Sequence, residues 1–279
     1  MTLKCALAGL PAGGAKLVVM DTPALAREAA FEWLGERIEA LEGGFRTAGD
    51  LGTTSADLAA LARRTRYVHT NEPALAAGAA RGLLACVDAC AAVAGLPPSP
   101  ARLSAAVQGC GTIGAAVARA LAGAGAAVQV ADLRPNLAEA LASEIGGAPA
   151  PAEAILTSPV DILSPCAAGG VITPPVAEAL RARLVCGAAN NILASPAAGE
   201  ILHRRSIAFV PDVIASAGAV VEGLGETLVG LDDRTALIEA LGETARGVLE
   251  EARATDRTPA EVAEARALER LEAAGAPSS

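Results

Sequence analysis

Three glycines constrain this chain more than any other feature: Gly109, Gly111 and Gly114, in the string Gly109-Cys110-Gly111-Thr112-Ile113-Gly114. An apolar run beginning near Leu103 leads into them through Val107 and Gln108, and a helical run from Ala115 to Ala122 follows. Strand, glycine turn and helix in that order open a βαβ unit. Gly109 makes the tight turn, Gly111 leaves the backbone open to close approach, and Gly114 lets the helix pack on the strand. Further short apolar runs at Val128 to Ala131, Ile162-Leu163, Leu184-Val185 and Phe209-Val210 alternate with helical stretches, which is the rhythm of a parallel sheet. The residues are 52% hydrophobic but only 2% aromatic, so the interior is built from Ala, Val, Leu and Ile, as suits a sheet covered by helices.

The turn also implies a ligand. A helix that starts at Thr112 and Ile113 presents unpaired backbone N–H groups and the positive end of its dipole, which together receive phosphate charge. Asp132 follows Gly114 by eighteen residues, at the end of the next apolar strand, where a carboxylate accepts hydrogen bonds from ribose hydroxyls. The combination predicts a Rossmann-type, doubly wound α/β fold that binds a dinucleotide. The acid favours NAD over its 2′-phosphorylated form, although Arg134 stands two residues away.

A second cluster lies far upstream: Lys4, Lys16 behind the pair Gly13-Gly14, and Asp50 in Ala48-Gly49-Asp50. A lysine behind two glycines can be held against backbone and away from water, which makes its amine a usable base near neutral pH, and a like-charged Lys4 nearby acts in the same direction. Leu17 to Met20 reads as a strand leaving that turn, and Thr22-Pro23 as the cap and first turn of a helix with Phe31, Leu34, Ile38 and Leu41 on one face. Asp50, ahead of Gly52-Thr53-Thr54, serves equally as a helix cap. Near the end, Thr258-Pro259-Ala260-Glu261 reads as a capping box, and only Pro97-Pro98-Ser99-Pro100 resembles a linker.

The charge of −9 and the lack of a basic cluster argue against nucleic acid. Six cysteines without a CxxC pair, and two histidines, predict no metal and free thiols in a reducing compartment. Ala74 to Ala94 is the nearest approach to a membrane span but contains Arg81 and Asp88, so it reads as a buried helix; no membrane association and a cytoplasmic location are expected.

With these residues in view the chain resembles the glutamate/leucine/phenylalanine/valine dehydrogenases, the branched-chain and aromatic members more than the glutamate ones. The likeness rests on Met1-Thr2-Leu3-Lys4, Gly9 to Lys16, Thr47 to Thr54, the glycine turn, Ser164-Pro165-Cys166-Ala167, Gly187 to Asn191 and Pro211 to Ile214, in the family's order. It implies reversible oxidative deamination of an L-amino acid to a 2-oxo acid and ammonium, with reduction of NAD. In the family's pattern Lys4 holds the substrate carboxylate, Lys16 activates water and Asp50 relays protons to the substrate nitrogen. Asn190 lies in the nicotinamide-side loop, while Ala48, Val220 and Gly223 match positions that set side-chain choice. Glycine at 223 removes volume and any polar anchor, so an apolar substrate, extending to aromatic ones, is expected. The alternatives are a weakly active or non-catalytic NAD-binding homologue, or a subunit completed by another chain. The implied division is a substrate domain over 1–80, N-terminally truncated relative to the family, an NAD-binding domain over 81–212, and C-terminal helices over 213–279 that return to the substrate domain, in a homo-oligomer.

Overall fold

A computed structural model of the protein describes residues 1–97 and 99–275. Pro98, within the expected linker, and residues 276–279 lie outside the described residues. The chain packs as two units. The larger contains Met1–Gly13 and the chain from Ala74 onward; the smaller is Gly14–Pro73.

In the larger unit, helix α1 (Thr2–Leu7) comes first, and α4 (Glu72–Ala91) enters from the end of the smaller unit. Next come β3 (Ser104–Gln108), α5 (Thr112–Gly123), β4 (Ala127–Ala131), α6 (Pro135–Ile145), β5 (Ala148–Pro149), β6 (Ile162–Pro165), α7 (Pro174–Ala179), β7 (Leu184–Val185), α8 (Pro196–Arg204) and β8 (Ala208–Phe209). Four helices follow: α9 (Asp212–Ala215), α10 (Gly218–Val229), α11 (Thr235–Thr255) and α12 (Pro259–Gly275). The strands form one six-stranded sheet in the order β5-β4-β3-β6-β7-β8, with every neighbouring pair parallel. Counted from β3, that is the doubly wound order 3-2-1-4-5-6, whose direction reverses between β3 and β6.

Alternation along the strands divides the core. Ala105, Val107, Val128, Val130, Ile162 and Leu184 point to one side, where α4, α5 and α11 cover them. Ala106, Ala131, Leu163, Val185 and Phe209 point to the other, under α7 and α8. Helix α4 is apolar and long enough to span a bilayer, but its Ala79, Leu83, Cys86, Val87 and Cys90 are buried in this core, so it is a core helix. It meets α10 through glycines on both sides: a Cβ at Gly218 would lie 2.1 Å from the Gly78 carbonyl oxygen.

The expected boundaries at 80/81 and 212/213 do not coincide with this packing. Helix α1 belongs to the larger unit because Arg270 of α12 donates to the Ala6 and Leu7 carbonyls, both at 2.9 Å, and so caps its carboxyl end. The capping box before α12 forms as the sequence predicts, with Thr258 N–H on the Glu261 carboxylate at 2.8 Å and Glu261 N–H on Thr258 Oγ1 at 3.3 Å.

The smaller unit holds α2 (Arg27–Glu39), β1 (Thr47–Ala48), α3 (Ser55–Ala62) and β2 (Val68–His69). Helices α2 and α3 pack through Phe31, Ile38, Leu58 and Leu61, with Tyr67 closing the cluster. Strands β1 and β2 pair in parallel, Thr47 opposite Val68 and Ala48 opposite His69. Two expectations fail here. Leu17 to Met20 forms no strand and is solvated, Val18 being 78% exposed. The Thr22-Pro23 signal makes a local turn, Leu25 N–H to Thr22 O at 2.9 Å, and the helix begins only at Arg27. Arg27 is where tertiary anchoring starts, since its guanidinium grips Asp57 through two bonds of 2.8 Å. Leu41, beyond the end of α2, is exposed.

Candidate functional site

The glycine turn stands at the carboxyl end of β3, at the point where strand order reverses, which is where open α/β sheets bind ligands. Each glycine has its own reason. Gly109 has φ +97, and a Cβ there would meet the Ala167 Cβ at 2.8 Å. At Gly114 a Cβ would lie 2.0 Å from the Gly109 carbonyl oxygen. At Gly111 a Cβ would meet nothing within 4 Å, so this side of the turn is open. Gly111 is also the N-cap of α5 and no side chain caps the helix, which leaves the first-turn N–H groups around Thr112 and Ile113 to bind an anion.

Asp132 completes this half. Its Oδ2 accepts from Cys110 N–H at 2.9 Å and its Oδ1 from Arg134 N–H at 2.9 Å, so the acid is tied to the turn. Burial pushes the carboxyl up, but the two backbone N–H groups and the Arg134 guanidinium outweigh it and hold the group below the usual carboxylate range. Asp132 is therefore an anion at neutral pH. These residues fit a dinucleotide: an open glycine face for the diphosphate, a helix N-terminus behind it and a carboxylate at ribose distance in the sequence pattern.

In the same unit Lys4, on α1, is buried, and its Nζ donates to Asn190 Oδ1 at 2.5 Å. The two were expected in different roles, carboxylate binding and cofactor contact, and the fold joins them across 186 residues of sequence. Asn190 belongs to a tight loop: Gly170 N–H bonds to the Asn191 carbonyl at 2.7 Å, Asn191 N–H to Asp212 at 2.9 Å, and Asn191 adopts φ 52. Val220 and Gly223 lie on α10, with Val220 packed against the core. The helix is held by Arg234, which donates to Glu222 at 2.6 Å.

Within the smaller unit Lys16 and Asp50 form an ion pair, Nζ to Oδ2, across 34 residues. Asp50 Oδ1 also accepts from Leu51 N–H at 2.8 Å. Asp50 is not the cap of α3; that position belongs to Thr54, in a capping box with Asp57. Nor is Lys16 withdrawn from water: its side chain is 63% exposed, because residues 13–20 form no regular structure that could shelter it.

His69 was not anticipated. It pairs in register with Ala48, and Val68 packs with the helical core, so by alternation Ala48 and His69 share the opposite face of the two-stranded sheet. Its Nε2 is buried with no hydrogen-bond partner among the described residues. A two-residue strand carries too little periodicity to have shown this, and only the scarcity of histidine, two in the chain, pointed to it. Lysine is as scarce. Positions 4 and 16 hold the only two lysines among 22 basic residues, and every other one is arginine.

Residues 135–231 match the family model for glutamate/leucine/phenylalanine/valine dehydrogenase. The chain is 32% identical over 248 residues to leucine dehydrogenase of Geobacillus stearothermophilus, an alignment covering 85% of this chain and 66% of that protein. It is 32% identical over 249 residues to leucine dehydrogenase of Thermoactinomyces intermedius, covering 87% and 68%. The chain thus spans about two thirds of the length of these relatives. L-tryptophan dehydrogenase from Nostoc punctiforme superimposes with a TM-score of 0.79 at 26% identity, over 98% of this chain and 81% of that one. The family-model match and the identity over two thirds of these enzymes lead to one conclusion: this chain belongs to the glutamate/leucine/phenylalanine/valine dehydrogenase family.

Proposed function

We propose that the protein catalyses the NAD-dependent, reversible oxidative deamination of an apolar L-amino acid, aromatic ones included, to its 2-oxo acid and ammonium. The observation that carries this reading is the Lys16–Asp50 ion pair in a chain whose only lysines are Lys4 and Lys16. A guanidinium stays charged at any working pH and cannot take a proton, whereas an amine can. The position at which the chemistry requires an amine that can take a proton, Lys16, is one of the two that are not arginine.

Each role falls on a named atom. The Lys4 ammonium, oriented by Asn190 Oδ1, neutralises the substrate α-carboxylate. Asp50 accepts a proton from the substrate ammonium, leaving the lone pair that assists loss of the α-hydrogen. Bound NAD supplies the acceptor for that hydrogen as hydride. Lys16 then takes a proton from water as its oxygen adds to the α-carbon, and Asp50 returns a proton to the nitrogen; the C–N bond breaks, and the departing ammonia takes the new hydroxyl's proton, giving the 2-oxo acid and ammonium. Gly109, Gly111, Thr112, Ile113, Gly114 and Asp132 hold the dinucleotide, with Asn190 near its reactive end. Ala48, Val220 and Gly223 are the positions assigned to side-chain choice. None of these offers a charge or hydroxyl to a substrate side chain, which supports an apolar choice. The names of the relatives, leucine and tryptophan dehydrogenases, lie on that side too. We place the enzyme in the cytoplasm as a homo-oligomer; its six free cysteines suit a reducing compartment.

The test is NADH production at alkaline pH from a panel of L-amino acids. Aliphatic and aromatic substrates should turn over and glutamate should not, and Lys16→Ala should lower kcat by about 10²–10⁴-fold. Unchanged turnover in Lys16→Ala would overturn the mechanism, and equal rates with glutamate and leucine would overturn the substrate choice.

A further inference from the structure

At the end of the sheet opposite the glycine turn, a cavity of ≈ 590 Å³ opens before the amino ends of β7 and β8. Four arginines line it, Arg181, Arg183, Arg205 and Arg253, and no aspartate or glutamate does. In a chain of net charge −9 that is a concentrated reversal of sign.

The ordinary reason for arginine here is the backbone. The cavity lies where α4, α7, α8 and α11 end, and helix carboxyl ends attract cations. Arg205 serves that need: its guanidinium donates to the Ala177 carbonyl at 2.5 Å and the Leu180 carbonyl at 2.9 Å. The other three do not. Among the described residues no carbonyl or carboxylate accepts from the guanidinium of Arg181, Arg183 or Arg253, although the Arg183 backbone N–H bonds the Asp161 carbonyl at 3.0 Å. Gly95, whose φ of +68 belongs to the turn that ends α4 with Leu96 N–H on the Ala91 carbonyl at 2.8 Å, lies beside the Arg183 guanidinium. Ser206, in the left-handed region at φ 56, adds a hydroxyl to the lining.

We propose that this cavity is an anion site, separate from the dinucleotide turn, for a small molecule carrying adjacent phosphate groups. Three guanidiniums on one open depression, with no counter-ion among the described residues, match the charge and the forked acceptor geometry of a diphosphate. The site lies in the larger unit alone and does not depend on the reaction assigned above.

Inorganic pyrophosphate is the probe, titrated by calorimetry into the full-length protein at low ionic strength. It should bind, weaken as salt rises, and bind about tenfold more weakly to Arg181→Gln/Arg183→Gln. Both side chains are exposed and unpaired, so folding is not at risk; Arg253→Gln provides an independent second variant. Gly111→Val separates the two anion sites, because its side chain enters open space at the glycine turn and leaves the cavity untouched. Binding retained in Gly111→Val and lost in the arginine variants supports the proposal. Binding lost in Gly111→Val but retained in the arginine variants, or no binding to the unaltered protein, overturns it. Titration of ATP in parallel identifies the source: a nucleotide ligand binds more tightly than pyrophosphate, and a free diphosphate does not.

Discussion

The glycine turn and the Lys16–Asp50 pair are built on opposite principles. At the turn the backbone itself is the site: Gly109 and Gly114 are each set by a distance of a few ångströms to neighbouring backbone, and Gly111 leaves one side open, at the end of a five-residue strand inside a six-stranded sheet. In the smaller unit the chemistry rests on side chains, one from a segment without regular structure and one from beyond a two-residue strand. The contrast separates two demands. A diphosphate needs fixed N–H groups, whereas a proton relay needs groups that can change partners as charge moves. What keeps the smaller unit in order is the apolar contact of α2 with α3 together with the Arg27–Asp57 pair, rather than its strands.

Three substitutions would break or sharpen this contrast. The largest effect is expected from Gly114→Ala: a methyl group 2.0 Å from a carbonyl oxygen forces α5 off β3, at a cost of about 3 kcal/mol, read from denaturant unfolding of the larger unit. A variant as stable as the parent would mean that the turn is not backbone-limited. Next comes Asp57→Ala, which removes both the capping box and the Arg27 pair of α3; a loss of about 2 kcal/mol is expected, confined by hydrogen exchange to the smaller unit. Its pH dependence has a definite sign. Arg27, joined by Thr54 and opposed by burial, holds the Asp57 carboxyl well below the usual range, so its contribution is present above the unfolded value. That contribution is lost as pH falls through the folded value, and the gap between parent and variant should stay constant down to about pH 4 and shrink below it. The smallest effect belongs to Val18→Asp. Exposed and outside any strand, the position should tolerate it within about 0.5 kcal/mol, and a larger loss in thermal unfolding would reveal a hidden strand partner for residues 17–20.

Legibility followed the same division. The glycine turn, Asp132 and the strands at Ile162-Leu163 and Leu184-Val185 were readable because spacing and alternation are local and a parallel sheet repeats them. Leu17 to Met20 has the composition of a strand, but a strand exists only with a ladder partner, and partnership is not written in the run itself. Thr22-Pro23 is a valid helix start that loses to an anchor thirty residues away, the Arg27 grip on Asp57. The Lys4 bond to Asn190 spans most of the chain and has no sequence signature, although the restriction of lysine to two positions was visible from the start.

The contact of Gly78 with Gly218 bears on how such a protein can change over time. With α10 fixed against α4 by two residues that admit no side chain, positions 220 and 223 can be exchanged without the helix sliding or rotating. Under the proposed function the substrate range can then be retuned one substitution at a time, because the helix that carries these positions does not move.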